Sequence, residues 1–368
     1  MKLNKIIIAG GGTGGHIFPA IAVAHALQKM IPSIEILFVG AKGKMEMEKV
    51  PQAGFRIEGI DIAGFNRRKL FSNWKLPFML IKSFVQVRNI FKSFHPDAAF
   101  GVGGYSSFPV LRYAQQQGVA TFLHEANSFA GKSNLLLSKK ADLVMVGSQG
   151  MERFFGQDKM VYTGNPVRRE IVESKVFAEE AFEFFGLKMD KPTVLVMGGS
   201  LGAKSINEAM GKGVNRLIAA GIQVIWQTGK GNIDAVPDAI RKQKGVCVSE
   251  FINKMSYAYK ASDIVVSRAG AIALAEICAS GKPSVLVPFP LAAEDHQTVN
   301  AQMLVSQGAA CIVRDNEAEA RLVDVIIELI NDKAKCTAFG EAAIRIDKRD
   351  ADQVIAALIV KKIQERNG

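Results

Sequence analysis

Short apolar runs that end in clusters of glycine or polar residues recur along both halves of this 368-residue sequence. A run of this kind followed by a helical stretch is typical of a buried parallel strand and its crossover helix, because helices cover both faces of parallel sheets. The pattern predicts the α/β class, and the length favours two domains. The pattern breaks at Tyr162–Arg169. We therefore assign residues 1–165 and a C-terminal helix at 350–368 to one domain, and residues 166–349 to the other.

The stretch from Ser267 to Ala301 carries a strong signal for a ligand site. An apolar strand leads into the turn Arg268-Ala269-Gly270 and then into a helix of small residues with one carboxylate, Glu276. A second strand, Ser284–Val287, precedes polar residues at 294–297 and Asn300. Ligands of parallel α/β sheets bind beyond the carboxyl ends of the strands, and a helix N-terminus attracts anions. The predicted ligand is a nucleotide diphosphate.

Composition excludes several other classes of protein. The four cysteines are widely spaced and form no CxxC pair, which argues against a zinc site or a disulfide framework and favours a reducing cytoplasm. The apolar run Lys5–Ala9 is too short for a signal peptide, and no run approaches the roughly 20 apolar residues of a transmembrane helix. We therefore expect a soluble or peripheral protein. The net charge of +11 fits a phosphorylated, nucleic-acid or membrane partner.

Two glycine-rich loops resemble nucleotide-binding motifs, but each lacks a residue or a spacing that its motif requires. Gly10, Gly12 and Gly15 match the dinucleotide fingerprint GxGxxG, but the next strand lacks the required acid at its end, and Glu46 and Glu48 come later in a helical stretch. An alternative to a ligand site is a glycine-rich turn that serves only tight packing of the strand against the helix. His16 beside the loop favours a substrate site instead. The loop at 198–205 is not a P-loop, because an alanine separates its last glycine from the lysine.

The segment Ala63–Pro96 is basic and aromatic and contains no Asp or Glu. It is interpreted either as an ordinary amphipathic helix packed on a sheet or as a patch that rests on an anionic membrane. Nucleic acid is disfavoured as a partner, because no nucleic-acid-binding motif accompanies the basic residues.

Motifs spread over nearly the whole chain carry a family resemblance. They are GGGTGGH at 10–16, GVGGYSS at 101–107, HEAN at 124–127, GNPVR at 164–168, GGSLGAKSIN at 198–207 and the segment 267–301. In these motifs the sequence closely resembles the MurG family of bacterial glycosyltransferases (family 28). One position departs, since Ala126 stands where the family usually has Gln. The resemblance implies a GT-B architecture, with two Rossmann-like parallel-sheet domains facing across a cleft.

The same resemblance implies an activity. It is the inverting transfer of GlcNAc from UDP-GlcNAc to the C4 hydroxyl of MurNAc in undecaprenyl-pyrophosphoryl-MurNAc-pentapeptide (lipid I), which gives lipid II in peptidoglycan synthesis. A UDP-GlcNAc 2-epimerase, a glycolipid glycosyltransferase and a non-enzymatic nucleotide-sugar-binding or membrane adaptor protein remain alternatives. No cofactor and no tightly held metal are expected, because no carboxylate pair lies beside the glycine loops.

Carried over by motif, the donor is expected to lie mainly on the second domain. Glu276 takes the ribose hydroxyls and Gln297 those of GlcNAc, in keeping with the hydrogen-bonding capacity of carboxylates and amides. Ser200 and the adjacent amides meet the diphosphate, Arg168 lies nearby, and Ile252 borders the uracil. The other expected contacts are Ala271, Ile272, Ala273, Leu274 and Ala275 near the nucleotide, and Thr13, Gly14, Gly15 and Asn127 from the first domain.

The reaction needs a general base for the acceptor hydroxyl. His16 is the first candidate, because the unperturbed imidazole pKa of about 6.5 suits the task, and Glu125 and His124 are the second candidates. Helix N-termini with Arg268 or Arg168 are expected to meet the charge of the leaving group. A lipid-linked acceptor makes the region Phe65–Lys92 the expected contact with anionic lipid, at the cytoplasmic face of the bacterial plasma membrane.

Overall fold

The protein divides into two compact units. The computed structural model describes residues 3–63, 76–292 and 295–366. The first unit is Met1–Val167 with Lys348–Gly368, and the second is Arg168–Asp347. These limits lie two residues from the boundaries placed on the sequence at 165/166 and 349/350.

A parallel sheet forms the centre of the first unit. Its strands are β1 (Lys5–Ala9), β2 (Glu35–Ala41), β3 (Arg56–Ile60), β4 (Ala98–Gly101), β5 (Ala120–Glu125), β6 (Leu143–Val146) and β7 (Met160–Tyr162). They are arranged in the order β3-β2-β1-β4-β5-β6-β7. The chain therefore reverses its direction of sheet growth between β1 and β4, which are paired in parallel with Ile8 opposite Phe100. Such a switch point leaves a crevice at the carboxyl ends of the two strands.

Helices cover both faces of this sheet. They are α1 (Gly14–Met30), α2 (Glu46–Gln52), α3 (Leu76–Phe94), α4 (Ser107–Gln116) and α5 (Lys132–Ser138), with 3-10 turns at Met151–Arg153 and Gln157–Lys159. The C-terminal helix, Ala351–Glu365, belongs to this unit and buries Ile355, Ile359 and Ile363 in the core shared with α1. On the opposite face, Val87, Ile90 and Phe91 of α3 pack with α4. Burial on both faces explains why β1, with the sequence KIIIA, is almost continuously apolar.

The second unit repeats the plan with a six-stranded parallel sheet. Its strands are β8 (Thr193–Met197), β9 (Gln223–Gln227), β10 (Val246–Ser249), β11 (Ile264–Ser267), β12 (Ser284–Leu286) and β13 (Ala310–Ile312), in the order β10-β9-β8-β11-β12-β13. Its helices are α6 (Arg169–Val172), α7 (Ala178–Phe185), α8 (Lys204–Ala219), α9 (Asp238–Arg241), α10 (Met255–Ala261), α11 (Ala271–Ser280), α12 (His296–Ser306), α13 (Ala318–Asn331) and α14 (Lys333–Ile346), with 3-10 turns at Ile233–Ala235 and Asp315–Glu317. We number the C-terminal helix α15.

The predicted α/β class with two parallel sheets is confirmed. Some boundaries differ: the sequence pattern predicts that α1 starts near Phe18, whereas the helix begins at Gly14, because the glycine loop itself enters the first helical turn. Three strands were not predicted from the sequence, namely β3, β7 and β13, and all three lie at sheet edges. None of the helices in the described ranges combines the length and apolar character that crossing a bilayer requires.

Candidate functional site

Two glycine loops of the first unit meet at the switch point between β1 and β4. Gly104 has a φ of +84°, and a Cβ there would lie 2.3 Å from the carbonyl oxygen of Gly11. Only glycine allows this approach, since any larger residue would clash with backbone and strain the turn. The loop that follows β4 thus supports the loop that follows β1, and the contact fixes Gly11, whose carbonyl faces His16.

The His16 imidazole lies on the first turn of α1, against these loops. Its Nδ1 is 3.2 Å from the carbonyl oxygen of Gly11 and 3.4 Å from the Thr13 hydroxyl. A Cβ on Gly103 would lie 2.9 Å from both His16 Cδ2 and Nε2, so the ring occupies the space that this glycine leaves. Burial lowers the pKa of His16, and the charges of Glu125 and Glu46 oppose that shift. His16 is thus a mostly neutral imidazole at neutral pH, with acids nearby to stabilise its protonated form.

The two second candidates for the base, Glu125 and His124, end β5 and are buried. Four donors contact the Glu125 carboxylate, namely the backbone N–H groups of Asn127 and Gly131 and the side-chain amides of Asn127 and Asn134, at 2.8–3.2 Å. His124 Nε2 lies 3.1 Å from the carbonyl oxygen of Gly164, and the ring is 1% exposed. The geometry gives Glu125 the task of orienting Asn127, and it keeps His124 inside the protein.

In the second unit, glycine turns again meet at the carboxyl ends of central strands. A Cβ on Gly229 would lie 2.0 Å from the backbone nitrogen of Gly202, and Gly229 has a φ of +87°. The Gln227 side chain joins two of these turns, because it donates to the carbonyl of Gly199 (3.1 Å) and accepts from the N–H of Ile252 (2.9 Å). This contact places Ser200 and Ile252 on neighbouring turns, beyond β8 and β10.

Arg168 and Glu276 form a two-point ion pair within the second unit. Arg168 Nε donates to Glu276 Oε1 at 2.8 Å and Nη2 donates to Oε2 at 3.0 Å. Glu276 lies on α11 and is 6% exposed, and the Tyr259 hydroxyl approaches its Oε2 at 3.5 Å. Burial, followed by the Glu276 charge, raises the pKa of Tyr259 well above its ordinary value, so this phenol stays a proton donor. An ionised carboxylate has about four acceptor positions, so the pair orients Glu276 and still leaves room for hydroxyl donors.

Arg268 is held by the protein itself. Its Nη1 donates to Asp315 Oδ1 (2.5 Å) and to the carbonyls of Val287 and Pro288 (3.0 and 3.2 Å), and its Nη2 donates to the Ser205 hydroxyl (3.2 Å). The guanidinium therefore connects the ends of β11 and β12 to the start of α8. Its N–H groups face protein acceptors, and the Asp315 carboxylate balances its charge.

The remaining predicted donor residues lie at the same edge of the second sheet. The backbone N–H of Phe289 donates to Gln297 Oε1 at 3.0 Å, and Asn300 Nδ2 donates to the carbonyl of Ala269 at 3.0 Å. The segment Ala271–Ala275 forms the first turns of α11, after an extended Gly270. Glu294 lies outside the described residues. Within the described ranges, no three His, Cys, Asp or Glu side chains come close enough to share a metal ion.

Sequence reasoning missed several residues that shape these two sites. Gln227 and Tyr259 received no role, and Glu46 was considered only as a ribose ligand for a dinucleotide. The sequence did contain a signal for Gln227, because it is a glutamine at the end of an apolar strand. A buried amide needs hydrogen-bond partners, so this position predicts contacts with neighbouring turns. Tyr259 had no comparable signal, because its contact with Glu276 joins two helices, α10 and α11, that only the fold brings together.

The chain matches family descriptions in both units. Residues 6–146 match the glycosyltransferase family 28 N-terminal domain, and residues 193–355 match the glycosyltransferase family 28 C-terminal domain. It is 46% identical over 362 residues to a protein of Parabacteroides distasonis that is named UDP-N-acetylglucosamine--N-acetylmuramyl-(pentapeptide) pyrophosphoryl-undecaprenol N-acetylglucosamine transferase. That similarity covers 98% of each chain.

Solved structures agree with this relationship. The crystal structure of Acinetobacter baumannii MurG is similar with a TM-score of 0.74 and 28% identity, over 97% of this chain and 99% of that one. A Neisseria meningitidis UDP-GlcNAc 2-epimerase bound to UDP-GlcNAc has a TM-score of 0.71 over 97% of this chain, but at 13% identity it shares the fold alone. From the two matching domains and the 46% identity along nearly its whole length, we conclude that the chain belongs to glycosyltransferase family 28.

Proposed function

We propose that this protein transfers GlcNAc from UDP-GlcNAc to the C4 hydroxyl of MurNAc in lipid I, giving lipid II for peptidoglycan synthesis. The observation that carries the proposal is the 46% identity over 98% of the chain to a relative with that activity in its name. The acceptor oxygen attacks the anomeric carbon, the bond from that carbon to the diphosphate breaks, and UDP leaves. A single displacement of this kind inverts the anomeric carbon and forms a β-1,4 bond.

Within this reaction we assign His16 as the general base that accepts the proton of the C4 hydroxyl. The ring has one nitrogen, Nδ1, directed at a carbonyl oxygen, which leaves the lone pair on Nε2 to accept a proton. Glu125 is less suited, because four N–H donors already occupy its oxygens. His124 is less suited, because its ring is buried and its Nε2 contacts Gly164. General bases of this kind contribute about 10²–10⁴-fold to rate.

For the donor we assign the ribose hydroxyls to Glu276 and the uracil to the turn at Ile252. Supporting this assignment, Ile252 follows β10 and Glu276 lies on the helix that follows β11, and nucleotides bind beyond the carboxyl ends of such strands in parallel α/β folds. The diphosphate belongs at the Ser200 turn with the N-terminal turn of α11, since free backbone N–H groups at helix starts bind anions. Arg168 then acts chiefly by orienting Glu276, and Arg268 by holding the turns together.

We further propose that the protein attaches peripherally to anionic lipid at the cytoplasmic face of the plasma membrane. Phe78, Ile81 and Val85 of α3 are 68%, 65% and 54% exposed, and their spacing places them along one stripe of the helix. The opposite stripe packs in the core, while Lys82 and Arg88 supply positive charge. A lipid surface accommodates such a stripe by burying its apolar groups and attracting its cations. Residues 64–75, the remainder of this predicted region, lie outside the described residues.

Release of UDP tests the proposed reaction. The full-length protein should release UDP from UDP-GlcNAc only when a short-chain lipid I analogue is present, and the product should carry GlcNAc on the analogue. His16→Ala should bind UDP-GlcNAc normally and lose about 10²–10⁴-fold in turnover. Conversion of UDP-GlcNAc without acceptor would indicate an epimerase instead, and donor binding without UDP release would indicate a binding protein.

A further inference from the structure

We propose that Glu46 is a positioning residue for the base: its buried carboxylate holds the first glycine loop so that His16 presents Nε2 to the acceptor hydroxyl. The inference rests on the proposed function in one respect, namely that His16 accepts the proton. Glu46 lies on α2, between β2 and β3, and takes no part in the reaction as described above.

The Glu46 carboxylate is buried completely and bound on both oxygens. The residue is 0% exposed, Oε2 accepts from the backbone N–H of Gly12 at 2.9 Å, and Oε1 accepts from the backbone N–H of Ala41 at 3.0 Å. A carboxylate is costly to bury, and such a group is retained where hydrogen bonds and nearby charge compensate it. Its two partners belong to the ends of β1 and β2, so one side chain ties two neighbouring strand ends together.

Two glycines leave the space that this carboxylate fills. A Cβ on Gly11 would lie 2.2 Å from Glu46 Oε1, and a Cβ on Gly40 would lie 2.5 Å from Glu46 Cγ. No residue larger than glycine fits at either position while Glu46 keeps its place. The first glycine loop and the end of β2 are therefore shaped around Glu46.

The connection from Glu46 to His16 runs through the backbone. Glu46 binds the N–H of Gly12, and the carbonyl of Gly11, in the same peptide group, faces His16 Nδ1 at 3.2 Å. A carbonyl oxygen can only accept, so the neutral ring carries its proton on Nδ1 and its lone pair on Nε2. Fixing the peptide between Gly11 and Gly12 thus fixes the tautomer of the base. The orienting partner of a catalytic histidine has the same task in other enzymes, although there a carboxylate contacts the ring directly.

The charge of Glu46 adds to its geometric role. The titratable groups that face His16 are Glu125 at the end of β5, Glu46 on α2 and the neighbouring His124, and Tyr105 lies beside the same loop at Gly12. Burial lowers the pKa of His16, whereas Glu125 and Glu46 raise it. When the acceptor proton moves from the C4 hydroxyl to Nε2, the ring becomes an imidazolium, and a fixed negative charge stabilises that product.

The direct test is the nitrogen NMR spectrum of the histidine rings in the full-length protein, with His16 assigned by substitution. In the wild type, His16 should be protonated on Nδ1 when neutral. In Glu46→Gln, the Nδ1 form should lose its predominance, and the His16 titration should move to lower pH. The matched control is Glu48→Gln, which removes the same charge from the same helix at a side chain that is 66% exposed, and it should leave both signals unchanged. A neutral His16 protonated on Nε2 in the wild type overturns the proposal without any variant having to fold.

Kinetics provide the second test. Glu46→Gln should lower kcat by about tenfold or more, leave KM for UDP-GlcNAc within about twofold, and move the acid limb of the kcat profile to lower pH. A merely structural loss would reduce the active fraction without moving that limb, and an unmoved limb rejects the proposal. Failure of the proposed reaction gives a different result, because the wild type would then release no UDP with the lipid I analogue. The NMR experiment would still test whether Glu46 sets the tautomer of His16.

Discussion

Arg168 and Glu276 are 108 positions apart in the chain and meet in a parallel, two-point ion pair with hydrogen bonds of 2.8 and 3.0 Å. The pair joins the start of α6 to the middle of α11, and side-chain exposures of 15% and 8% place it largely out of solvent. Two side chains that the motifs assign to different parts of the donor are thus bound to each other. Within the proposed donor site, the pair therefore holds the Glu276 carboxylate in one orientation.

The first prediction concerns this pair. Arg168→Ala leaves the Glu276 carboxylate buried without its main partner, so the free energy of unfolding should fall by about 3–5 kcal/mol. Affinity for UDP-GlcNAc should fall as well, because the carboxylate is no longer oriented. Urea denaturation and calorimetric titration with UDP-GlcNAc measure the two effects.

A matched control is Arg216→Ala, which breaks the exposed pair with Asp324 in the same unit. It should cost no more than about 1 kcal/mol and leave donor affinity unchanged. Equal losses for the two variants would show that the Arg168 pair has no special part in the donor site.

The second prediction concerns the space around His16. Gly103→Ala introduces a Cβ that would lie 2.9 Å from the imidazole, at a φ of +92°. The ring must move, so kcat should fall by about tenfold or more while KM for UDP-GlcNAc stays near its original value. Steady-state kinetics with the lipid I analogue provide the measurement.

Gly54→Ala separates this effect from simple backbone strain. Gly54 also has a positive φ, +85°, but no atom lies within 4 Å of its added Cβ. Both variants should lose about 1–2 kcal/mol of stability, and only Gly103→Ala should lose activity. Comparable activity in the two would contradict the assigned position of the His16 ring.

The third prediction is a loss of stability in mild acid. Burial is the main cause that lowers the pKa of both His124 and His16, so the folded protein binds fewer protons than the unfolded chain below the unperturbed histidine value of 6.5. Stability is therefore complete above that value and decreases as the pH falls through it towards the folded pKa values. The thermal midpoint should drop between neutral pH and pH ~5.

Replacement of His124 should flatten that dependence. His124→Gln removes one of the two buried imidazoles, so its thermal midpoint should change less with pH than that of the wild type, even if it is lower at neutral pH. His95→Gln, at an exposed position, should retain the wild-type slope. An unchanged slope in His124→Gln would refute the assignment of the pH dependence to this ring.

The fourth prediction concerns the exposed stripe of α3. The triple variant Phe78→Ser, Ile81→Ser and Val85→Ser should bind vesicles of phosphatidylcholine and phosphatidylglycerol at least about tenfold more weakly, because it loses the apolar area that enters the lipid. Retention of the wild type should also fall with added salt, since Lys82 and Arg88 act through screened charge. Co-sedimentation with vesicles measures both effects.

A control for this variant lies on the second unit. Phe177 and Phe184 are 67% and 51% exposed, so replacing both with serine removes a similar aromatic area from another surface. Vesicle binding should persist in that variant. Equal binding by all three proteins would exclude α3 as the membrane contact.

The Asp61 carboxylate shows how α3 is anchored to the sheet. Gln86 exchanges two hydrogen bonds with Asp61, and Lys82 and Lys42 each lie 3.1 Å from its Oδ2. The hydrogen bond from Gln86, followed by those from the two lysines, lowers the pKa of Asp61 to about 2. Asp61 therefore remains charged at neutral pH, and its contacts with Gln86 and the two lysines persist there.

The sequence by itself determined the class of the fold and the positions of the glycine loops. Central strands such as β1 and β8 are buried on both faces, so their apolar character is continuous and their ends are visible in the sequence. The edge strands β3, β7 and β13 were missed for the converse reason. The sequence of β3, RIEGI, mixes polar and apolar residues, whereas β7 and β13 are partly buried and only three residues long, so their apolar character is too brief to mark a strand.

Only the tertiary structure decided what the polar residues of the two sites contact. Motif spacing located His16, Glu125 and Glu276, but the partners that define their roles come from other strands and helices. Glu46 reaches Gly12 across 34 positions, and Arg168 reaches Glu276 across 108. Such contacts depend on the order of strands in the sheet, which arises from pairing between distant segments. A local sequence pattern does not specify the order of the strands, because strands with the same burial have similar sequences wherever they lie in the sheet.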